Sequence, residues 1–307
     1  MTLSRGKFFD SELVARLGRM ELVAQRVVDG FLSGKNRSSR HGFSVEFVEH
    51  REYVPGDDLR HLDWKVLGRM GRYYIKRYEE ETNISAMILL DASASMTYAR
   101  SGRSKFECAA TAAIALAHLL QRQRDAVGVT VFDSEVRALH APSARMSALA
   151  EVVARLHDVE PSGKTSLVSI VERAIAELPG RSLVILLSDF FVPMEEIEAA
   201  LKLLRFRGHD AVVLQTLDDA ERTFPFRENL EFRDLEGDRR LLAEPRRLRR
   251  GYLEALESFL DGVRRASSSL GYDYALLVNG EPLATALTAL LAQRNRRRRA
   301  GRRGQRV

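Results

Sequence analysis

The chain has a single cysteine, Cys108, in 307 residues. No intrachain disulfide is therefore possible, and a reducing compartment fits best. Long apolar runs are also missing. The longest, near Met87 to Leu90 and Leu183 to Leu187, fall far short of the roughly 20 residues that a membrane-spanning helix needs. The N-terminal stretch MTLSRGKFFDSEL has no apolar h-region, so no secretory signal is expected. No internal repeat of fixed period is visible. These absences lead to the expectation of a cytoplasmic globular protein. What is present agrees: 45% hydrophobic and 29% charged residues are ordinary for such a chain, and the length allows one large domain or two smaller ones.

Acid is missing from one region. Arg294, Arg296, Arg297, Arg298, Arg299, Arg302, Arg303 and Arg306 occur in a C-terminal stretch with no Asp or Glu. The whole chain carries 48 basic and 42 acidic residues, net +6, with a pI near 9.6. Taking the eight tail arginines from the 48 leaves 40 bases against 42 acids, a body of net charge −2. Any affinity for nucleic acid or an anionic membrane would thus belong to a tail over 294–307, acting by counterion release, and not to the body.

Hydrophobic spacing gives the architecture. Leu13, Leu17, Met20, Val27 and Phe31 share one face of a helix that Ser11 can cap. Phe43, Val45 and Phe47 alternate with polar residues as in a strand, Pro55-Gly56-Asp57-Asp58 reads as a turn, and RYYIKRYEEE alternates again. From Ile84 the pattern changes. Short apolar runs (ISAMILL, AVGVTVF, SLVILL, DAVVLQTL, YDYALLV) alternate with helical segments over 104–121, 146–156, 167–178, 195–206, 245–269 and 283–293. EVRALH reads as a more exposed strand, and ENLEFRDLEGDRRLLAE as a hairpin with Glu236-Gly237-Asp238 at its turn. Strands alternating with helices imply an α/β fold with a mostly parallel sheet and helices on both faces. The expected division is residues 1–83, an N-terminal helix with a small β extension; 84–293, the α/β domain with a C-terminal elaboration; and the basic tail 294–307.

The chemistry collects at strand ends. ISAMILL ends in Asp91-Ala-Ser93-Ala-Ser95. Ligands of an open parallel sheet bind outside the carboxyl ends of its strands, where the strand order switches. One carboxylate and two hydroxyls are hard oxygen donors of the kind Mg²⁺ prefers. Thr165, in a loop before a helix, adds a hydroxyl, and SLVILL ends at Ser188-Asp189, adding a carboxylate. The alternative is that Asp91, Ser93 and Asp189 only cap the helices that follow. Gly163-Lys164-Thr165 looks like the end of a P-loop, but Asp158 stands where the motif's first glycine belongs, so nucleotide binding is not expected.

The order strand, D-x-S-x-S, helix, threonine loop, strand, Asp resembles the metal-ion-dependent adhesion site of von Willebrand factor A domains. The resemblance implies that Asp91, Ser93, Ser95, Thr165 and Asp189 surround one divalent ion, Mg²⁺ or another, with a position left open for a partner's carboxylate. The flanking signature Tyr53-x-Pro55-Gly56-Asp57-Asp58-x-Arg60-x-x-Asp63-Trp64 is similar to that of the bacterial von Willebrand factor A-like family catalogued as domain of unknown function 58. Such proteins are commonly associated with MoxR-type AAA+ ATPases. The resemblance implies a MoxR-type ATPase or its client as partner, in a chaperone-like role in complex assembly. In the signature itself, a local reading has Asp57 and Asp58 capping the next turn and Trp64 packing on the domain.

No catalytic set is visible. Cys108 lies in an alanine-rich helix and reads as a buried small hydrophobe. His61-x-Asp63 is too little for a metal site, and the other histidines show no nucleophile or ligand spacing. The chain is expected to bind and not to catalyse. A metal-dependent hydrolase would need a positioned base that the sequence does not point to.

Overall fold

The computed structural model describes residues 45–54, 62–80, 84–100, 102–145, 156, 159–237, 240–283, 285–287 and 290. The helix expected from Ser11, the turn at Pro55, the signature residues Arg60 and His61, nearly all of the helix expected over 146–156, and the arginine tail lie outside them. The chain divides into two compact units, one of residues 32–83 and one whose described part begins at Ile84.

In the smaller unit, β1 (Val45–Glu52), α1 (Trp64–Met70) and β2 (Tyr74–Glu80) follow one another. β1 and β2 pair antiparallel from Val45↔Glu80 to Glu52↔Tyr74, with a bulge between Phe47 and Glu49. Leu62 bridges to Ile75, and both are buried. Asp63 begins α1 by accepting the Val66 N–H at 3.2 Å, the capping bond that a short helix needs. Trp64 departs from expectation. It is 67% exposed, whereas the buried apolar side chains among the described residues of this unit are Leu62 and Ile75.

The larger unit contains, in chain order, β3 (Ser85–Asp91), α2 (Lys105–Arg122), β4 (Ala126–Phe132), β5 (Val136–Ser143), α3 (Leu167–Ala176), β6 (Leu183–Ser188), α4 (Met194–Phe206), β7 (Asp210–Asp218), α5 (Asp219–Thr223), β8 (Leu230–Arg233), β9 (Arg240–Ala243), α6 (Pro245–Ser269) and β10 (Asp273–Asn279). Six strands form one sheet in the order β10-β7-β6-β3-β4-β5. All neighbours are parallel except β4 and β5. β8 and β9 form a separate hairpin. Among the described residues no helix is long and apolar enough to cross a membrane.

The strands' sequences explain their burial. β3, β4, β6 and β7 are continuous apolar runs buried almost throughout, as strands covered on both faces must be. β5, at the edge, is half-buried. On one face Met87, Leu89, Val184 and Leu186 pack with Leu167, Ile170 and Val171 of α3 and Ile197, Leu201 and Leu204 of α4. α2 packs against β3, β4, β6, β7 and β10. Its side chains are mainly alanine, and Ala109, Ala110, Ala112, Ala113 and Ala117 are all buried. Small side chains let the helix lie close to the sheet. Ser104 and Glu107 start it with a reciprocal capping box.

β3 lies at the centre of the sheet. The chain moves from β3 to β4 on one side and later places β6 on the other. The strand order therefore switches between β3 and β6, and this is where an open α/β sheet leaves its crevice. Asp91 ends β3, and Ser188 ends β6 just before Asp189.

Candidate metal centre

Asp91 and Asp189 are both 0% exposed. The parallel register that pairs Leu90 with Leu187 brings the ends of β3 and β6 side by side. Asp91 Oδ1 accepts the Ser93 N–H at 2.8 Å. Its Oδ2 accepts from Thr165 Oγ1 at 3.2 Å and from Ser188 Oγ. Ser93 Oγ and Ser95 Oγ lie 3.1 Å apart. The structure thus brings Asp91, Ser93, Ser95 and Thr165 into one connected group and places Asp189 beside it.

The local chain makes this possible. After β3 the backbone forms a single 3-10 turn over Ala94–Thr97, with Ser93 at its start making no side-chain capping bond. Capping therefore does not account for the Ser93 hydroxyl. Asp189 is no helix cap either: α4 begins at Met194, and Asp189 Oδ1 accepts the Phe191 N–H at 3.2 Å across a bend where Phe190 adopts φ 59°. The loop carrying Thr165 is tied down by backbone bonds, Ser162 N–H to Ala92 O at 2.8 Å and Ala94 N–H to Gly163 O at 3.0 Å. Gly163 has φ 72°, and a Cβ there would stand 3.3 Å from Asp133 Oδ2. Gly163 thus serves a tight loop seated on Asp133. Among the described residues from 159 to 166 no strand leads into α3, in keeping with a segment that is no P-loop.

Electrostatically the two carboxylates differ. Burial, reinforced by the Asp189 charge, pushes the Asp91 carboxyl up to about 7, although the Ser188 and Ser93 donors work the other way. Asp189 has a cationic partner that the sequence reading missed. Lys105 Nζ, fully buried, donates to Asp189 Oδ2 at 2.7 Å and to Glu221 Oε1 at 2.8 Å. Burial opposes the lysine's charge, but the two carboxylates outweigh it and hold its ammonium above the ordinary range. The ammonium also lies 4.7 Å from the centre of the Phe191 ring, within cation–π reach. Burial raises Glu221 in turn, against the pull of Lys105.

The donor set fits a hard divalent cation. Asp91 is buried, repelled by a second carboxylate and surrounded by hydroxyl oxygens, the environment that a small oxygen-seeking ion relieves. Among the described residues no three His, Cys, Asp or Glu side chains cluster as a metal cage. Any cation here would be held by two carboxylates and hydroxyls, with Asp189 shared with Lys105. Beside the group lies a cavity of about 490 Å³, lined mainly by aromatic and aliphatic side chains, among them Tyr98, Phe224, Phe226, Phe232 and Tyr252, with Glu221 at its wall. Phe224 stacks on Phe232 at 5.8 Å and packs tilted on Tyr252 at 4.5 Å. Cys108 is buried in α2 as expected, and burial pushes its thiol up to about 11.

A central parallel sheet with one antiparallel edge, helices on both faces and D-x-S-x-S at the switch point together define a von Willebrand factor A-like α/β protein. The chain belongs to the family described as protein of unknown function DUF58, whose model matches residues 49–258. An uncharacterized protein of Mycobacterium tuberculosis is 23% identical over 227 residues, covering 73% of this chain and 71% of that protein. Among solved structures, the conserved hypothetical protein BatB of Bacteroides thetaiotaomicron aligns at 16% identity with a TM-score of 0.46, over 70% of this chain and 100% of that one. The VWA domain of SpRpn10 aligns at 15% identity and a TM-score of 0.39, over 68% of this chain and 95% of that one.

Proposed function

We propose that this chain is a protein-interaction module whose switch-point site takes a divalent cation, Mg²⁺ being the ion that suits its donors. Asp91 is the principal anchor, Ser93, Ser95 and Thr165 supply hydroxyl oxygens, and Asp189 contributes from the next strand. The bound ion would supply a positive centre for an acidic side chain of a partner protein. The partner that the family resemblance implies is a MoxR-type AAA+ ATPase or its client. The observation that carries this reading is the convergence of Asp91 and Asp189, both fully buried, with three hydroxyls from two loops at the strand-order switch. A binding role is favoured over hydrolysis because the side chains gathered there are carboxylates, hydroxyls and a lysine already engaged by two acids, with no imidazole among the described residues placed as a base.

The reading predicts that a MoxR-type ATPase is captured by the chain in Mg²⁺ and lost in excess EDTA. Capture should also be lost with Asp91→Ala, once circular dichroism has shown that this variant is folded. Equal capture under all three conditions would overturn it.

A further inference from the structure

α6 carries a glycine that its own packing does not require. Gly251 lies inside this 25-residue helix, where glycine is less stable than alanine by about 0.5–1 kcal/mol. Its φ is not positive, and a Cβ there would meet nothing within 4 Å. Neither backbone geometry nor a close neighbour therefore calls for it. What Gly251 does is line the aromatic cavity, together with Tyr252 and Leu248 of the same helix. A side chain at this position would enter that space.

The cavity is built to receive an apolar group. Phe224 packs edge-on against Phe226 at 5.1 Å and tilted on Tyr252 at 4.5 Å, so the walls hold one another in place. Its volume of about 490 Å³ falls in the range of roughly 300–1,000 Å³ usual for binding sites. Leu241 and Leu248 line it and are still 57% and 42% exposed, so it opens to the surface. Its surroundings are positive. α6 begins Pro245-Arg246-Arg247-Leu248-Arg249-Arg250, with no acid in the first turn, although the positive end of a helix dipole disfavours cations. Glu244 and Glu254 pair with Arg247 and Arg250 at 2.8 Å each, on an exposed face where such pairs are weak. Arg246 and Arg249 form no ion pair among the described residues, and Arg249 donates instead to Thr223 O at 3.1 Å. The Arg100 guanidinium, likewise without a carboxylate among the described residues, lies 4.7 Å from the centre of the Phe226 ring. The nearby acids are engaged: Glu221 by Lys105, and Glu231 of the hairpin by Arg233 and Arg240.

We infer that this cavity is a docking pocket for one bulky apolar side chain, phenylalanine or leucine, presented by an acidic segment of a partner protein. The side chain enters the space that Gly251 leaves open, and the flanking carboxylates meet Arg100, Arg246 and Arg249. A concave site suits an inserted side chain, whereas the face of a bilayer is flat and cannot fill it. The inference goes beyond the metal reading and needs no ion. The two sites are nonetheless neighbours in the chain, because Tyr98 lines the cavity and its N–H bonds Ser95 O at 3.2 Å.

The test uses the full chain in EDTA, so that the fate of the metal reading does not enter. Fluorescein-labelled peptides in which glutamates flank a single phenylalanine or leucine are titrated by anisotropy. Controls carry alanine at the centre, or lysines at the flanks. The expected result is binding of the glutamate-flanked phenylalanine or leucine peptide, weakened about tenfold or more by the central alanine. Gly251→Leu should abolish the binding while keeping or raising the thermal midpoint, since leucine is the better helix former. Arg246→Glu and added salt should weaken it several-fold. The pocket is overturned if no acidic peptide binds, or if the alanine-centred peptide or Gly251→Leu binds as well as the original pair. Equal binding of the lysine-flanked peptides would overturn the acidic partner. Phosphatidylserine vesicles form the last arm: capture of vesicles, equal for wild type and Gly251→Leu, by a chain that ignores the peptides would assign this face to a membrane and overturn the inference.

Discussion

Two side chains show how single residues set the electrostatics of the larger unit. Lys105 neutralises Asp189 and Glu221 where none of the three has ready access to water. Lys105→Met would leave two carboxylates buried without a cation, and losing one partner of such a group costs about 3–5 kcal/mol. A fall of that size in urea-unfolding stability, absent Mg²⁺, is the expected outcome. Asp125 is the second case. Its Oδ1 takes the Ile84 N–H at 2.8 Å, its Oδ2 has no partner, and burial pushes the carboxyl up to about 6 from 3.8. The folded chain therefore holds this proton at a higher pH than the unfolded chain does. The resulting stabilisation is complete below about pH 4 and is lost as pH rises to about 6, amounting to about 3 kcal/mol. Denaturant midpoints measured from pH 4 to 7 should fall more steeply for wild type than for Asp125→Asn. Neither residue was legible in the sequence. Lys105 follows a capping serine and resembles any solvated lysine in a first helical turn. Its partners Asp189 and Glu221 lie 84 and 116 positions away, beyond the reach of local pattern.

At the scale of elements the sequence was far more informative. Continuous apolar runs gave β3, β4, β6 and β7, because strands covered on both faces have no polar side to show. The spacing of Leu, Ile and Val gave α3 and α4, and Pro245 at the first helical position marked the start of α6. The direction of β5 was not legible, since side-chain alternation is the same for parallel and antiparallel strands. It is fixed by the short link from Phe132 to Val136, which suffices only for an antiparallel return. α5 was also missed: its five residues form no apolar stripe, and it is held by the Asp218–Glu221 capping box. β4 carries a testable element-level constraint. A Cβ on Gly128 would stand 2.7 Å from His140 O and 2.9 Å from Pro142 N, both backbone atoms of β5. Gly128→Ala must push the edge strand away, and overpacking of this kind costs about 1–3 kcal/mol. Faster amide exchange across 136–143 than across β6 in the same variant would locate the damage at that edge.

For the whole molecule, the net charge of +6 misdirects attention. The positive excess belongs to the final arginines, whereas the larger unit's most specific feature is a set of buried acids at the middle of its sheet. The sequence could nominate Asp91, Ser93, Ser95, Thr165 and Asp189 because strand ends of an α/β sheet converge at the switch in strand order. It could not nominate Ser188 or Glu221, whose partners Asp91 and Lys105 lie 97 and 116 positions away. The hydrogen bonds that close on Asp91 span 74 residues to Thr165 and 97 to Ser188. Contacts of such long range form late, after the loops between them have been closed. During synthesis the D-x-S-x-S segment leaves the ribosome well before β6 exists to complete it. The group around Asp91 is thus a certificate of finished folding: it exists only in a chain whose central sheet is already assembled.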